Sequence, residues 1–115
     1  MNNRSHAHDF GDGRGAVPAH RHSNGGGWVA DSAYVAKSAY VGPQAQVFGK
    51  AWVMGASRIE DESRIFGMAW LSGEVIACGR SQVHGMGRLC DTAIVCGDTV
   101  VCGDMVVCGE SLAYD

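Results

Sequence analysis

The sequence lacks three things that would have suggested a function at once: an excess of basic charge, a long apolar run, and cysteine anywhere before residue 78. Nine Lys and Arg stand against twelve Asp and Glu, a formal net charge of −3. No electrostatic footprint for nucleic acid follows from that balance, and an anionic membrane would not attract the chain. The longest apolar runs are only a few residues, far short of the ~20 needed to span a bilayer as a helix. Met1 to Gly26 is polar and rich in His and Gly. It has no apolar core of the kind a secretory signal carries, so the expected compartment is the cytoplasm, with reduced thiols. The cysteines that do occur number five, an odd count, and all follow residue 77. At 115 residues the chain allows one domain with a modest core.

What is abundant is glycine and a period. Seventeen glycines are roughly twice the usual ~7% share, without a collagen repeat. Stepping by six from Val29 gives Val35, Val41, Val47, Val53, Ile59, Ile65, Leu71, Ala77, Val83, Leu89, Val95, Val101, Val107 and Ala113, without one slip of phase. Two residues before each stands a small one, Val75 and Met105 excepted. Two residues after stands Gly or Asp, Lys37 and Pro43 excepted. Gly and Asp are residues that tolerate a positive φ at a sharp bend. Each hexad therefore reads as a short strand and a corner: a β-branched residue facing in, a small residue inside the bend, a Gly or Asp turning it. A helix of period 3.6 cannot hold a period of six. Hairpins built from three-residue strands would make a poor sheet. Three hexads close a triangular coil of 18 residues, and residues 28–115 supply just under five. At about 4.8 Å per coil the prism is roughly 23 Å long, with each coil stabilised by its neighbours as in a one-dimensional array.

The hexads Ala45-Gln46-Val47-Phe48-Gly49-Lys50 and Ala51-Trp52-Val53-Met54-Gly55-Ala56 resemble the A-x-V-x-G-x motif of the hexapeptide-repeat superfamily. That resemblance implies an all-β fold, a single-stranded left-handed parallel β-helix. The stretch from Asn24 to Ala33 resembles the lead-in of short hexapeptide-repeat proteins of bacteriophages and prophages, which implies a host-cytoplasmic setting. The chain accordingly divides into an N-terminal segment, 1–26, flexible or serving as a cap on the first coil, and a β-helix, 27–115. The superfamily holds both acyltransferases and non-catalytic members, so it implies little about chemistry.

Residues on either side of each inward position point outward, and those 18 apart stack on one face. Face I carries Tyr40, Arg58, Glu60, Ile76, Cys78, Ile94, Cys96, Leu112 and Tyr114. Face II carries Tyr34, Trp52, Met54, Trp70, Ser72, Arg88, Cys90, Val106 and Cys108. Face III carries Trp28, Gln46, Phe48, Arg64, Phe66, Gln82, His84, Val100 and Cys102. Apolar columns of this kind are more than a monomer ordinarily exposes. A homo-oligomer and a protein partner are expected, with the Ile76/Ile94/Leu112 and Trp52/Trp70 columns as the interface and Cys78, Cys96, Val106 and Tyr114 beside them.

Other chemistry is weaker. Cys78 and Cys96, like Cys90 and Cys108, are one coil apart, a plausible spacing for a disulfide. In-register parallel side chains seldom aim at one another, however, and small apolar thiols packed in an interface are expected instead. His6, His8, His20 and His22 form two His-x-His pairs, a candidate site for Zn²⁺ or Ni²⁺ beside the simpler role of a polar cap. His84 is the sole histidine of the repeat and the one candidate catalytic base, of the kind hexapeptide acyltransferases use; yet the unbroken phase leaves no loop to shape an acceptor pocket. Asp91, Asp98, Asp104 and Glu110 could mimic nucleic-acid phosphates, or simply suit turns and keep an apolar prism soluble. No cofactor, no direct nucleic-acid contact and no enzyme activity are expected. The alternative is a minimal acyl(acetyl)transferase.

Overall fold

In a computed structural model the chain forms a parallel β-solenoid preceded by a hairpin. The structure describes residues 6–11, 13, 15–109 and 112–114; of His6 and residues 112–114 only the backbone is described. Among the described residues there is no helix.

Strands are numbered in chain order. The hairpin is β1 (His6–Asp9) and β2 (Ala16–Arg21). The solenoid strands fall into three sheets. Face III is β3 (Trp28–Ala30), β6 (Gln46–Val47), β9 (Arg64–Ile65), β12 (Gln82–Val83) and β15 (Val100–Val101). Face II is β4 (Tyr34–Val35), β7 (Trp52–Val53), β10 (Trp70–Leu71), β13 (Arg88–Leu89) and β16 (Val106–Val107). Face I is β5 (Tyr40–Val41), β8 (Arg58–Ile59), β11 (Ile76–Ala77), β14 (Ile94–Cys96) and β17 (Leu112–Tyr114). Every solenoid pair is parallel and offset by 18 residues, as in Trp52↔Trp70 and Ile76↔Ile94. A backbone that climbs one strand spacing per circuit leaves no other register open.

The inward ladder is the core. Val47, Val53, Ile59, Ile65, Leu71, Val83, Leu89 and Val95 are wholly buried, in one continuous cluster. Burying each such side chain is worth about 1.5–3 kcal/mol. Two irregularities offset each other: Ala77 is small where its neighbours are large, and Val75 is large where its neighbours are small. Both are fully buried in the same cluster, so the volume missing at Ala77 is filled from two residues upstream. Inside the corners, Ser57 and Ser63 donate their hydroxyls to the carbonyls of Met54 and Glu60, at 2.9 and 2.8 Å, and the Ser63 and Ser81 hydroxyls meet at 3.2 Å. These buried polar groups are thereby satisfied. At the corners, Gly49, Gly55 and Gly67 have φ near 70°, and Asp61 and Asp91 adopt the same left-handed conformation at 59° and 60°.

The described residues before Trp28 form a cap. β2 adds to β3 antiparallel, His20 opposite Val29, which occupies the first edge of face III. The loop that follows covers the first edge of face I: Gly27 donates to Val41 O and Val41 donates to Asn24 O, both at 3.0 Å. His22, 6% exposed, donates from Nε2 to Ala39 O at 2.8 Å. On faces III and I, backbone groups that an open solenoid end leaves bare are thus paired, while β4 stands as the edge strand of face II.

Candidate functional site

Face II carries the most exposed apolar side chains. Tyr34, Trp52 and Trp70 stand 50%, 45% and 39% exposed, and Val106 61%. The rings pack on one another along the column: Tyr34 tilted against Trp52 at 5.3 Å, and Trp52 stacked on Trp70 at 5.5 Å. The guanidinium of Arg88 closes the column, 5.3 Å from the Trp70 ring. Ring faces are spent on each other, so the column offers ring edges and flanks to the outside. Met68 and Met86, 62% and 53% exposed, run along the adjoining corner. These corner methionines are missed by counting only the residues next to each inward position. Following the third residue after it (Lys50, Met68, Met86, Asp104) reveals them.

The first coils of face III are covered by the hairpin, while Val100 at its far end is 44% exposed. Phe10, 3% exposed, stacks on Phe48 at 4.7 Å, Phe48 on Phe66 at 4.8 Å, and Phe66 on His84 at 4.7 Å. Phe10 fills the space above Phe48 that the small Ala30 leaves open one coil earlier. Arg64 lies over Phe48 and Phe66 and donates from Nη2 to Phe10 O, its Nε left without a hydrogen-bond partner. His8 stacks on Trp28 at 4.5 Å. The signal for this contact was a lone Phe within a polar segment. A cleft of about 440 Å³ beside Phe10 is lined by Gln44, Gln46, Glu62, Arg64, Arg80 and Gln82. Both of its cations are engaged, Arg64 as above and Arg80 by Asp98 at 3.1 Å. On face I, Ile76 and Ile94 are half-buried, and the side chains of Leu112 and Tyr114 lie outside the described residues.

The cysteine expectation is corrected. Cys78 pairs with Cys96 and Cys90 with Cys108 as disulfides, each across a Cα separation of 4.6 Å; Cys102 is free. In-register strands bring equivalent side chains within bonding reach, even though their Cα–Cβ vectors run side by side.

The histidines do not converge. His8 is held between aromatic rings, His20 pairs with Asp31 at 2.8 Å, and His22 is buried against Ala39 O; the side chain of His6 lies outside the described residues. Among the described residues no three His, Cys, Asp or Glu gather around a point that could hold a metal. His84 is half-buried under Phe66. The two carboxylates that follow His84 in sequence are committed elsewhere: Asp91 accepts from Gly109 N at 3.1 Å and Asp98 pairs with Arg80.

The parallel β-solenoid with 18-residue coils is therefore the class this chain defines. Comparison with protein-family models, with curated proteins and with solved structures gives no match. No helix of the described residues is long and apolar enough to cross a membrane.

Proposed function

We propose that this is a non-catalytic binding module, a rigid β-solenoid that meets another macromolecule through a flat face. The observation that carries it is the exposed apolar strip of face II, Trp52, Trp70 and Val106 flanked by Met68 and Met86. Apolar side chains aligned over several coils form a contiguous patch, the kind that marks an interaction surface. The half-buried Ile76/Ile94 column of face I is a second, less exposed strip. Likeness of the stretch from Asn24 to Ala33 to the lead-in of short phage hexapeptide-repeat proteins favours a phage or prophage origin, and with it a virion component or an inhibitor of a host enzyme or defence complex. A host-cytoplasmic setting requires the two cysteine pairs to persist in a reducing compartment.

The test is co-purification from host lysate with wild-type protein and with Trp70→Ser, oligomeric state measured alongside. A stoichiometric protein captured by the wild type and lost with Trp70→Ser supports the proposal; equal capture by both removes face II from it. The acyltransferase alternative rests on His84. Acetyl-CoA turnover that His84→Ala abolishes would replace the binding module with an enzyme.

A further inference from the structure

We infer that the occupant of face II is a second copy of this chain, packed face to face with its solenoid axis antiparallel. This deepens the binding reading above and rests on it. The ground is charge and shape complementarity along the corner beside the aromatic column. In coil order that corner reads Lys50, Met68, Met86, Asp104: a cation, two exposed methionines, an anion, all exposed. A two-fold axis perpendicular to the solenoid and passing between the Met68 and Met86 levels sets Lys50 against Asp104 of the second copy, twice over. The same axis sets Met68 against Met86, again twice.

In the adjacent column the axis places Trp70 opposite Arg88 and Trp52 opposite Val106. Arg88 already lies over Trp70 within its own chain. From the second copy it reaches the flank of that ring, and apolar meets apolar one coil further out. A closed two-fold contact uses one patch on both copies, so every residue must suit its symmetry mate. This register meets that condition for four successive coils. Parallel axes do not: they set Met68 against Glu74, an exposed acid on the opposite corner of the face.

In this register four coils overlap, ~4.8 Å apart and about six residues wide at ~3.3 Å, which projects to roughly 380 Å². Accessible area on a surface textured by side chains exceeds that, against ~800 Å² a side for a standard interface. The dimer belongs at the small end of specific contacts, where two ion pairs matter to register.

The experiment is sedimentation velocity on wild type, Lys50→Glu, Asp104→Lys, and an equimolar mixture of the two variants. Each variant alone brings like charges together at both ends of its own dimer. Dissociation constants about tenfold or more above wild type are expected. In the mixed dimer the two substituted side chains face each other at one end as an acid and a base. At the other end the retained Asp104 of one chain meets the retained Lys50 of its partner, so dimerisation returns to within about threefold of wild type. Both changes lie at exposed positions, and unchanged melting curves confirm that the fold is intact. A wild type that stays monomeric at 100 μM overturns the inference, even if Trp70-dependent capture of another protein leaves the binding module standing. A wild-type dimer that neither single change weakens, or whose variants the mixture does not rescue, overturns the antiparallel register.

Discussion

Replacing one corner glycine by alanine tests what holds the coils at their spacing. Gly55 has φ 71°, and a Cβ built there lies 2.5 Å from the carbonyl oxygen of Gly73 on the next coil, where ordinary contact begins at 3.4 Å. Gly55→Ala therefore meets two costs. The left-handed conformation costs an L-residue about 1–2 kcal/mol. Moving the Gly73 carbonyl by roughly 0.9 Å then strains its 2.9 Å bond from Ala56 N, a further ~1–2 kcal/mol. Gly103 separates the terms: its φ is 62°, and nothing lies within 4 Å of a Cβ there. The expected loss is about 3 kcal/mol for Gly55→Ala against about 1–2 kcal/mol for Gly103→Ala. At ~4–8 °C per kcal/mol for a domain near this size, that difference is several degrees in a calorimetric Tm. A third variant uses a device already present. Asp61 and Asp91 occupy such corners, and their carboxylates accept from Gly79 N at 2.9 Å and Gly109 N at 3.1 Å, one coil on. Gly55→Asp is expected to recover about 1 kcal/mol relative to Gly55→Ala, by the same bond to Gly73 N. Equal Tm values for Gly55→Ala and Gly103→Ala, or a Gly55→Asp variant less stable than Gly55→Ala, would refute the inter-coil clash as the reason for glycine.

Two further outcomes follow. The disulfides Cys78–Cys96 and Cys90–Cys108 each close a loop 18 residues in separation, and overlap between residues 90 and 96. Loops of that length are worth about 3 kcal/mol each in a chain-entropy account. Reduction should lower Tm by roughly 10 °C or more, and alkylation of unreduced denatured protein should label one thiol, Cys102; five labelled thiols in protein taken directly from its host would show that the pairs do not form there. Phe10→Ala removes the ring that stacks on Phe48, 4.7 Å away. In a one-dimensional array the damage stays local. Amide exchange is expected to quicken in β1 and β2 and to remain unchanged around Leu89 and Val95; faster exchange throughout would mean the cap stabilises the whole prism.

How much was legible follows from the range of the interactions. The inward ladder from Val29 to Val101, the corners and the three faces could be read off the chain because a period of six is a local rule, imposed afresh on every hexad. The strand pairing at 18 residues is its direct consequence. The contacts of Phe10 obey no period. It meets Phe48 because the hairpin of β1 and β2 doubles back, and one aromatic in a polar segment does not say where it lands. Where the N-terminal histidines land is set in the same way, by the hairpin and not by any period: His8 meets Trp28, His20 meets Asp31 and His22 meets Ala39 O, three different surfaces. For the cysteines the 18-residue spacing was correct, and the error lay in discounting how close 4.6 Å brings two equivalent side chains. Met68 and Met86 stand one residue past the Gly that turns the corner, a position the reading of inward, small and turning residues left without a role.

A surface that repeats every coil has a positional ambiguity. A partner that recognises the Trp52–Trp70 column by shape alone finds nearly the same landscape after sliding 4.6 Å along the prism, so the regular part of the repeat confers adhesion but no address. Location can be written only where the repetition is broken: by Arg88 in an aromatic column, by Lys50 and Asp104 at the ends of a methionine row, by Asp61 and Asp91 among glycine corners. For a molecule built by translation, its defects are its coordinate system, and they are where a partner specific to this solenoid would have to bind.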